Sequence, residues 1–452
     1  MRFTLTEPSD LEANGFDKND IFDYRDFGEG LANLVSNTEG PLVITFDGCW
    51  GSGKSVFIRQ WAGLIRSRGG NVVYFDAFAN DFHSDAFLAL ASEIYSLAKK
   101  TLGGNNSSTR KFLNKAKKVG EALAPRTLDI LLRIGTSETV NLKDIKVAAK
   151  ALENQSEKVI SEKLRKIDEE RASLEAFRNS LSDVSKSIAK KNQSAGQSLP
   201  MVFIVDELDR CRPSFSLDII ERIKHLFSVE NICFVLVTNL SQLEAAVKST
   251  YGMETEARTY LEKFYHHKVG LPKSKNKSQK QREKYLTYLW ENLKPNFGNP
   301  SLTKDAQKEI QRLANVYELS LREIEHVLRN VVLAAAATKE NQLFIPPVVA
   351  GLCIMRLKDI DLYERAQENK LSWDSVDLFL RISGGADDKS AQHRNHVTGW
   401  WRCFVDPDAQ NEERLQPYLR NLAKQRLLDR RLSLLHVFTD LIDNFSGDYA
   451  PK

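Results

Sequence analysis

The chain has 452 residues, of which 42% are hydrophobic and 27% charged, and its 64 basic and 60 acidic side chains leave a formal charge of +4. That length can bury a large core divided among two or three domains, and that composition excludes wholesale disorder. The near balance of charge gives no general drive toward nucleic acid or anionic lipid, so a partner of either kind has to be read from a local patch.

Along the chain, residues 1–40 read as a lead-in segment, polar and turn-like up to Asn19 and then helical to about Val35. Residues 41–47 form an apolar run of buried-strand type that stops at Gly48-Cys49-Trp50-Gly51-Ser52-Gly53-Lys54-Ser55, the pattern of a phosphate-binding loop. Helical spacing of Val56, Ile58, Trp61, Leu64 and Ile65 follows, with Gly69-Gly70 as the stop. A second strand is expected over 71–76 and a helix over 85–100, so the order is the strand, helix, strand unit of parallel sheets.

From about 110 to 191 the composition is helical and interrupts the sheet, with Ile160, Ile167, Leu174, Leu181 and Ile188 at every seventh position and Phe177 and Val184 partly filling a second seam. This spacing predicts a helical hairpin or short coiled coil, and an amphipathic helix packed on its own domain is weighed against an intermolecular one. The sheet resumes at 201–206 and 231–239, continuous apolar runs suited to strands covered on both faces, with a short fifth strand near 268–271. Beyond Pro272 the pattern is helical, over 278–293, 303–317, 320–338 and later segments. The expected organisation is a lead-in over 1–40, a P-loop core over 41–100 and 200–272, a helical insertion over 101–199, a helical lid over 273–345 and a helical C-terminal region over 346–452. The fold class is α/β, a parallel sheet flanked by helices.

The chemistry follows from two motifs. In the loop, Gly48, Gly51, Ser52 and Gly53 let backbone N–H groups approach phosphate, Lys54 reaches the β- and γ-phosphates, and the Ser55 hydroxyl ligates Mg²⁺. At the carboxyl end of the 201–206 strand, Asp206-Glu207-Leu208-Asp209 supplies a carboxylate for the magnesium shell, Asp206, and a second acid, Glu207, to polarise the attacking water. Adjacent acids also serve as helix caps or as ion-pair partners of Arg210 and Arg212, and for Asp209 the two readings are even. Asn239, with Thr238, either senses the γ-phosphate or caps the next helix. Arg258, Lys263, Arg322 and Arg329 are candidates for stabilising transition-state charge, with Arg322 placed among the nucleotide-binding residues. Each of the four is individually an ordinary solvated cation on the plainer reading.

Other features carry less. His266-His267 and the His393/His396 pair lack the Cys or Glu neighbours of a zinc site. Trp400-Trp401-Arg402-Cys403, with Arg394, Arg426, Arg430 and Arg431, reads as an aromatic and basic surface for a nucleic-acid strand or as tryptophans buried in a helical core. Five cysteines at no metal-ligand spacing fit a reduced, cytoplasmic protein, and Met1 to Pro8 lack the apolar core of a secretory signal. The most apolar stretch, Val331 to Met355, is broken by Lys339-Glu340-Asn341 and Pro346-Pro347, so no membrane span is expected.

These residues resemble the KAP group of P-loop NTPases. The likeness rests on the Trp50-containing loop, on Ile204-Val205-Asp206-Glu207-Leu208-Asp209-Arg210-Cys211, on Phe75-Asp76-Ala77-Phe78, on Tyr260-Leu261-Glu262-Lys263-Phe264 followed by Leu271-Pro272, and on Leu321-Arg322-Glu323-Ile324, and it covers roughly 16–337 apart from the insertion. Two positions depart from the pattern: the family usually has Trp where Phe78 stands and often Asp where Glu207 stands. Many relatives carry membrane-spanning helices between the two nucleotide motifs, whereas this interval is charged throughout. The resemblance implies binding and hydrolysis of ATP with Mg²⁺, a role in assembly or signalling through homo-oligomers or protein partners of the helical regions, and, by analogy with bacterial relatives, exclusion of bacteriophage. A nucleotide-gated switch or scaffold with little turnover is the alternative, and a nucleic-acid motor ranks below both.

Overall fold

The protein is described from a computed structural model, which covers residues 11–18, 20–38, 40–83, 85–122, 157–191, 199–272, 275–338, 343–381, 391–406, 409, 419 and 434–445. Two compact units emerge, Asp10–Pro272 and a second built on Lys273–Lys452.

The first unit is organised by five strands, β1 (Leu42–Asp47), β2 (Val72–Asp76), β3 (Met201–Asp206), β4 (Ile232–Thr238) and β5 (His267–Val269), in the order β2-β3-β4-β1-β5. Every pairing is parallel, with Asp47 opposite Thr238 and Asp76 opposite Asp206. Side chains alternate between the two faces. Ile44, Phe46, Val202, Ile204, Val235 and Val237 pack with Phe57, Ile58 and Trp61 on one side. Val43, Phe75, Phe203, Val205, Phe234 and Leu236 pack with Phe87, Ile219 and Leu243 on the other. Burial on both faces is why the strands read as unbroken apolar runs.

Helix α1 (Leu11–Asn14), α2 (Arg25–Ser36) and α3 (Lys54–Ser67) cover the first face. The segment before Asn19, expected to be turn-like, contains α1, which lies against α3. A Cβ on Gly63 would meet the Glu12 carbonyl and Gly15 backbone at 2.8 Å, so glycine there permits the approach, and Arg66 Nη1 bonds Glu12 at 2.6 Å.

The second face carries α4 (Ala86–Leu102), α5 (Ser107–Ala122), α6 (Glu157–Lys191), α7 (Pro213–Arg222), a π-helical turn over Ile223–Phe227, α8 (Leu240–Tyr251) and α9 (Ala257–Glu262). The heptad seam is an internal one: Phe177, Leu181, Val184 and Ile188 are fully buried and Leu174 partly so, against α4, α5 and the π turn. Phe177 stands 5.1 Å from Phe87, 5.5 Å from Phe112 and 5.4 Å from Phe227 between ring centroids. The side chains of Ile160 and Ile167 lie outside the described residues.

The second unit consists of α10 (Lys275–Leu293), α11 (Pro300–Val316), α12 (Leu321–Ala337), α13 (Pro346–Lys358), α14 (Ile360–Gln367), α15 (Trp373–Leu380), α16 (Ala391–Val405) and α17 (Leu434–Phe445) around one apolar core. Ser320 and Glu323 form a reciprocal capping box at the start of α12, which fixes that boundary. Trp400 and Trp401 are both buried, and Gly351 makes room for the Trp401 ring, which a Cβ would meet at 2.7 Å. Of the two readings of these tryptophans, the buried helical core is the one found. Arg426, Arg430 and Arg431 lie outside the described residues. Among the described residues no helix is long and apolar enough to cross a membrane.

Because Phe177 is clamped by three rings of its own unit, Phe177→Ala is expected to destabilise that unit by about 3–5 kcal/mol. Thermal unfolding would register the loss while sedimentation shows unchanged mass. A change of mass without loss of stability would assign the seam to another copy of the chain.

Candidate functional site

Three strands of the first unit end in aspartate, and each carboxylate accepts an N–H from the segment beyond the sheet. Asp47 Oδ1 takes the amide of Leu240 at 2.9 Å, Asp76 Oδ1 that of Ala79 at 2.8 Å, and Asp206 Oδ1 that of Glu207 at 2.8 Å. Asp47 also pairs with Lys268 Nζ of β5 at 2.9 Å. Burial works to raise the Asp47 carboxyl, but the Leu240 amide and the Lys268 ammonium outweigh it and hold the group below its ordinary value.

The loop springs from this base, with the Gly48 amide bonded to the Thr238 carbonyl at 3.2 Å. Gly51 and Gly53 adopt φ of 71° and 89°, and Gly53 sits in the left-handed region immediately before α3. A Cβ on Gly48 would come within 3.1 Å of Lys54 Cδ and 3.2 Å of Ser52 Oγ, so the lysine stem folds over that glycine. Lys54 is buried, and its ammonium bonds the carbonyls of Gly48 and, at 3.1 Å, Cys49. Burial pushes that ammonium below the usual lysine value, while Asp209, Asp206 and Asp47 act in the opposite sense. Ser55 follows in the first turn of α3, where helical amides lack intrahelical acceptors.

The acidic motif lies two strands away. β4 separates β1 from β3, so the lysine turn and the acidic strand tip share one edge of the sheet across an interposed strand. Two links close the gap: Trp50 Nε1 donates to Asp209 Oδ2, and Lys54 senses the Asp206 and Asp209 charges. Asp209 thus has a structural task in holding the loop. Asp206 is buried, its second oxygen accepting the Tyr74 hydroxyl. Glu207, at φ 58°, pairs with Arg210 at 3.0 Å, which realises the ion-pair reading for this acid. Burial raises the Glu207 carboxyl, Arg210 opposes, and Asp76, Asp206 and Asp209 add to the rise. Arg212 instead grips Asp81, through Nε at 2.9 Å and its own amide at 2.9 Å.

Asn239 precedes α8 but makes no side-chain cap; the Asp47 carboxylate takes the Leu240 amide instead. The capping alternative is thereby set aside, which leaves the Asn239 amide at the carboxyl edge of the sheet. Gly48, Gly51, Ser52, Gly53, Lys54, Ser55, Asp206, Glu207 and Asn239 all gather at that edge in the first unit, whereas Arg322 lies exposed in the first turn of α12 in the second. Arg258 pairs with Glu262 at 3.3 Å, and Arg329 pairs with Glu325. Of the histidines, His266 Nδ1 accepts the Val43 amide at 2.9 Å and His396 Nδ1 pairs with Asp305 at 2.6 Å. Sequence reasoning passed over Asp47, Tyr74 and Arg59, although the repeated terminal aspartate of β1, β2 and β3 was a visible signal for the first.

The donor set fits a nucleoside triphosphate with a divalent cation. Ser52 Oγ and Thr238 Oγ1 are buried hydroxyls without a protein partner at the loop and the adjoining strand tip, and buried hydroxyls are ordinarily satisfied. Ser55 and Asp206 offer the oxygen ligands that a hard cation prefers.

A family model described as KAP family P-loop domain matches residues 24–337. Among curated proteins none matches the chain. Among solved structures, the chain is similar to that of the Aeropyrum pernix ORC2 protein in ADPNP–ADP complexes, at 12% identity over 96% of this chain and 98% of that one, with a TM-score of 0.34.

The Asp47 carboxyl lies lower in the fold than in the unfolded chain, so its stabilising share is complete above the ordinary aspartate range and is lost as pH falls through its depressed value. Asp47→Asn should be less stable than the parent chain at neutral pH and lose less on acidification toward pH of about 3, near and below the ordinary aspartate value. Melting curves across that range decide it; parallel curves for the two proteins would deny Asp47 the role.

Proposed function

Since the chain belongs to the KAP family of P-loop domains, we propose that it binds Mg·ATP at the carboxyl edge of its parallel sheet and hydrolyses it by in-line attack of water on the γ-phosphate. The observation that carries this reading is the placement of one buried lysine and Asp206 at the same sheet edge, within electrostatic reach of each other, with Glu207 next in the chain.

Lys54 exchanges its bonds to the Gly48 and Cys49 carbonyls for phosphate oxygens, a short move for a side chain already folded into the loop. The loop amides and the Ser52 hydroxyl take further phosphate oxygens. Ser55 and Asp206 would hold a magnesium ion, which would supply positive charge to offset that of the phosphates. Glu207 orients or deprotonates the water; burial raises its carboxyl, which makes it a stronger base than an ordinary glutamate. Asn239 presents its amide to the water or the γ-phosphate, and Arg322 is kept as a nucleotide-binding candidate.

Nucleotide state is then coupled to assembly or signalling through the helical regions, by homo-oligomerisation or a protein partner, in the cytoplasm and in the service of antiphage defence. The organisation proposed is a lead-in over 1–40, the core over 41–100 and 200–272 with its insertion over 101–199, a lid over 273–345 and a C-terminal region over 346–452. One observation favours a second reading, a switch with little turnover: Glu207 is engaged by Arg210 and must leave that pair to meet water. Phosphate release measured together with bound-nucleotide analysis separates the two, retained ATP without release favouring the switch.

Glu207→Gln is expected to retain ATP while turnover falls by about 100-fold or more. Lys54→Ala is expected to abolish nucleotide uptake in calorimetry with magnesium. In the parent enzyme the acid limb of the rate profile should lie above the ordinary glutamate range, because burial raises this carboxyl, and the limb should vanish in Glu207→Gln. Undiminished turnover in that variant would remove Glu207 from the reaction.

A further inference from the structure

The Asp206 carboxylate is held from two sides, and one of them leads back to the phosphate loop. Its Oδ1 accepts the Glu207 amide at 2.8 Å, and its Oδ2 accepts the hydroxyl of Tyr74 on the neighbouring strand β2. The Tyr74 oxygen in turn accepts Arg59 Nε at 3.3 Å, and the Arg59 guanidinium carbon stands 5.3 Å from the centre of the Tyr74 ring. Arginine carries only donors and an ionised carboxylate only acceptors, so the phenol hydrogen between them can point only toward Asp206. The chemistry of the three groups therefore fixes the direction of the relay, Arg59 to Tyr74 to Asp206, without sight of a hydrogen atom.

The relay is built by the crossover. Helix α3 leaves the loop at Lys54 and passes over the sheet to β2, and Arg59 lies on it between Ile58 and Gln60, both buried. Val72 belongs to the α3-facing core and Tyr74 packs against that same core, so period-two alternation turns the phenol toward the helix while Val73 and Phe75 face the other layer. Through this route the helix that begins at the phosphate loop touches the carboxylate two strands away from β1.

We propose that Tyr74, oriented by Arg59, is a positioning residue that fixes the Asp206 carboxylate for a divalent cation and ties that orientation to α3. This rests on the reading that Asp206 holds the metal. Partners behind a metal-binding carboxylate restrict its rotation and commonly carry about a tenfold effect on metal affinity. Removal of the phenol hydroxyl leaves Asp206 with one donor, free to turn away from the orientation a cation needs.

Mn²⁺ is the probe. Its binding to the full chain in the presence of a slowly hydrolysed ATP analogue is followed by the spin resonance of free Mn²⁺, and nucleotide affinity is measured separately in chelator. Tyr74→Phe should weaken Mn²⁺ binding about tenfold and leave metal-free nucleotide affinity unchanged, with Arg59→Gln moving Mn²⁺ binding in the same direction by a smaller factor. Asp206→Asn should abolish it, and if that variant binds Mn²⁺ like the parent, the metal reading falls and this inference with it. Weakened Mn²⁺ in Asp206→Asn alone, with Tyr74→Phe and Arg59→Gln at the parent value, overturns the positioning role and leaves the metal reading intact. Equal losses of metal-free nucleotide binding and thermal stability in Tyr74→Phe, with unchanged Mn²⁺ affinity, mark the phenol as a structural prop and overturn it too. Should Tyr74→Phe fail to fold, Arg59→Gln decides, since it leaves the phenol in place.

Discussion

The Asp47 carboxylate joins three strand tips at one point. It ends β1, accepts the first amide of α8 after β4, and pairs with Lys268 of β5. A glycine-rich loop has little rigidity of its own, so its shape depends on where its base is held. With Gly48 bonded to the Thr238 carbonyl, the loop leaves the sheet from a fixed platform, and Lys54, Ser52 and Ser55 inherit their positions from it. Asn239 illustrates the same constraint from the other side: its own side chain caps nothing, and the first amide of α8 is met by a carboxylate from β1.

The sheet edge concentrates negative charge. Asp76, Asp206, Glu207 and Asp209 lie together, and the three aspartates add to the upward displacement that burial gives Glu207, against the pull of Arg210. An anion brought alone to this edge would be opposed by those carboxylates. An anion brought with a divalent cation would not, since the cation's two charges offset the nearest carboxylates. The electrostatics of the edge thus favour a metal complex of a phosphate over the free phosphate.

Much of this was legible in the sequence because the deciding patterns are local. The loop motif, the apolar strand runs and the acidic tip of β3 each fit within a dozen residues, and the strands and most helices fall close to where spacing placed them. Three things were not legible. The strand order depends on which runs pair, which no single run encodes, so the interposition of β4 between loop and acids came only with the fold. The Tyr74 and Arg59 contributions depend on α3 crossing from β1 to β2, which brings together residues whose own neighbours in sequence are ordinary core. Short α1 escaped because four residues carry no periodicity and their helical form is settled by docking on Gly63. The tryptophan pair in α16 shows the converse: aromatic and basic composition fits a surface as well as a core, and packing against Gly351 decides for the core.

The interval between β2 and β3 has a further consequence. These strands are direct neighbours with Asp76 opposite Asp206, so the sheet sets their pairing whatever the chain does in between. The closure cost of a longer excursion grows only with the logarithm of its length. Helices α5 and α6 rest on α4 and the π-helical turn, on the sheet face remote from α3. This interval is consequently a splice point: a foreign hairpin with a matching apolar stripe could be exchanged there, giving chimaeras that keep the same nucleotide chemistry while displaying a different outer shape.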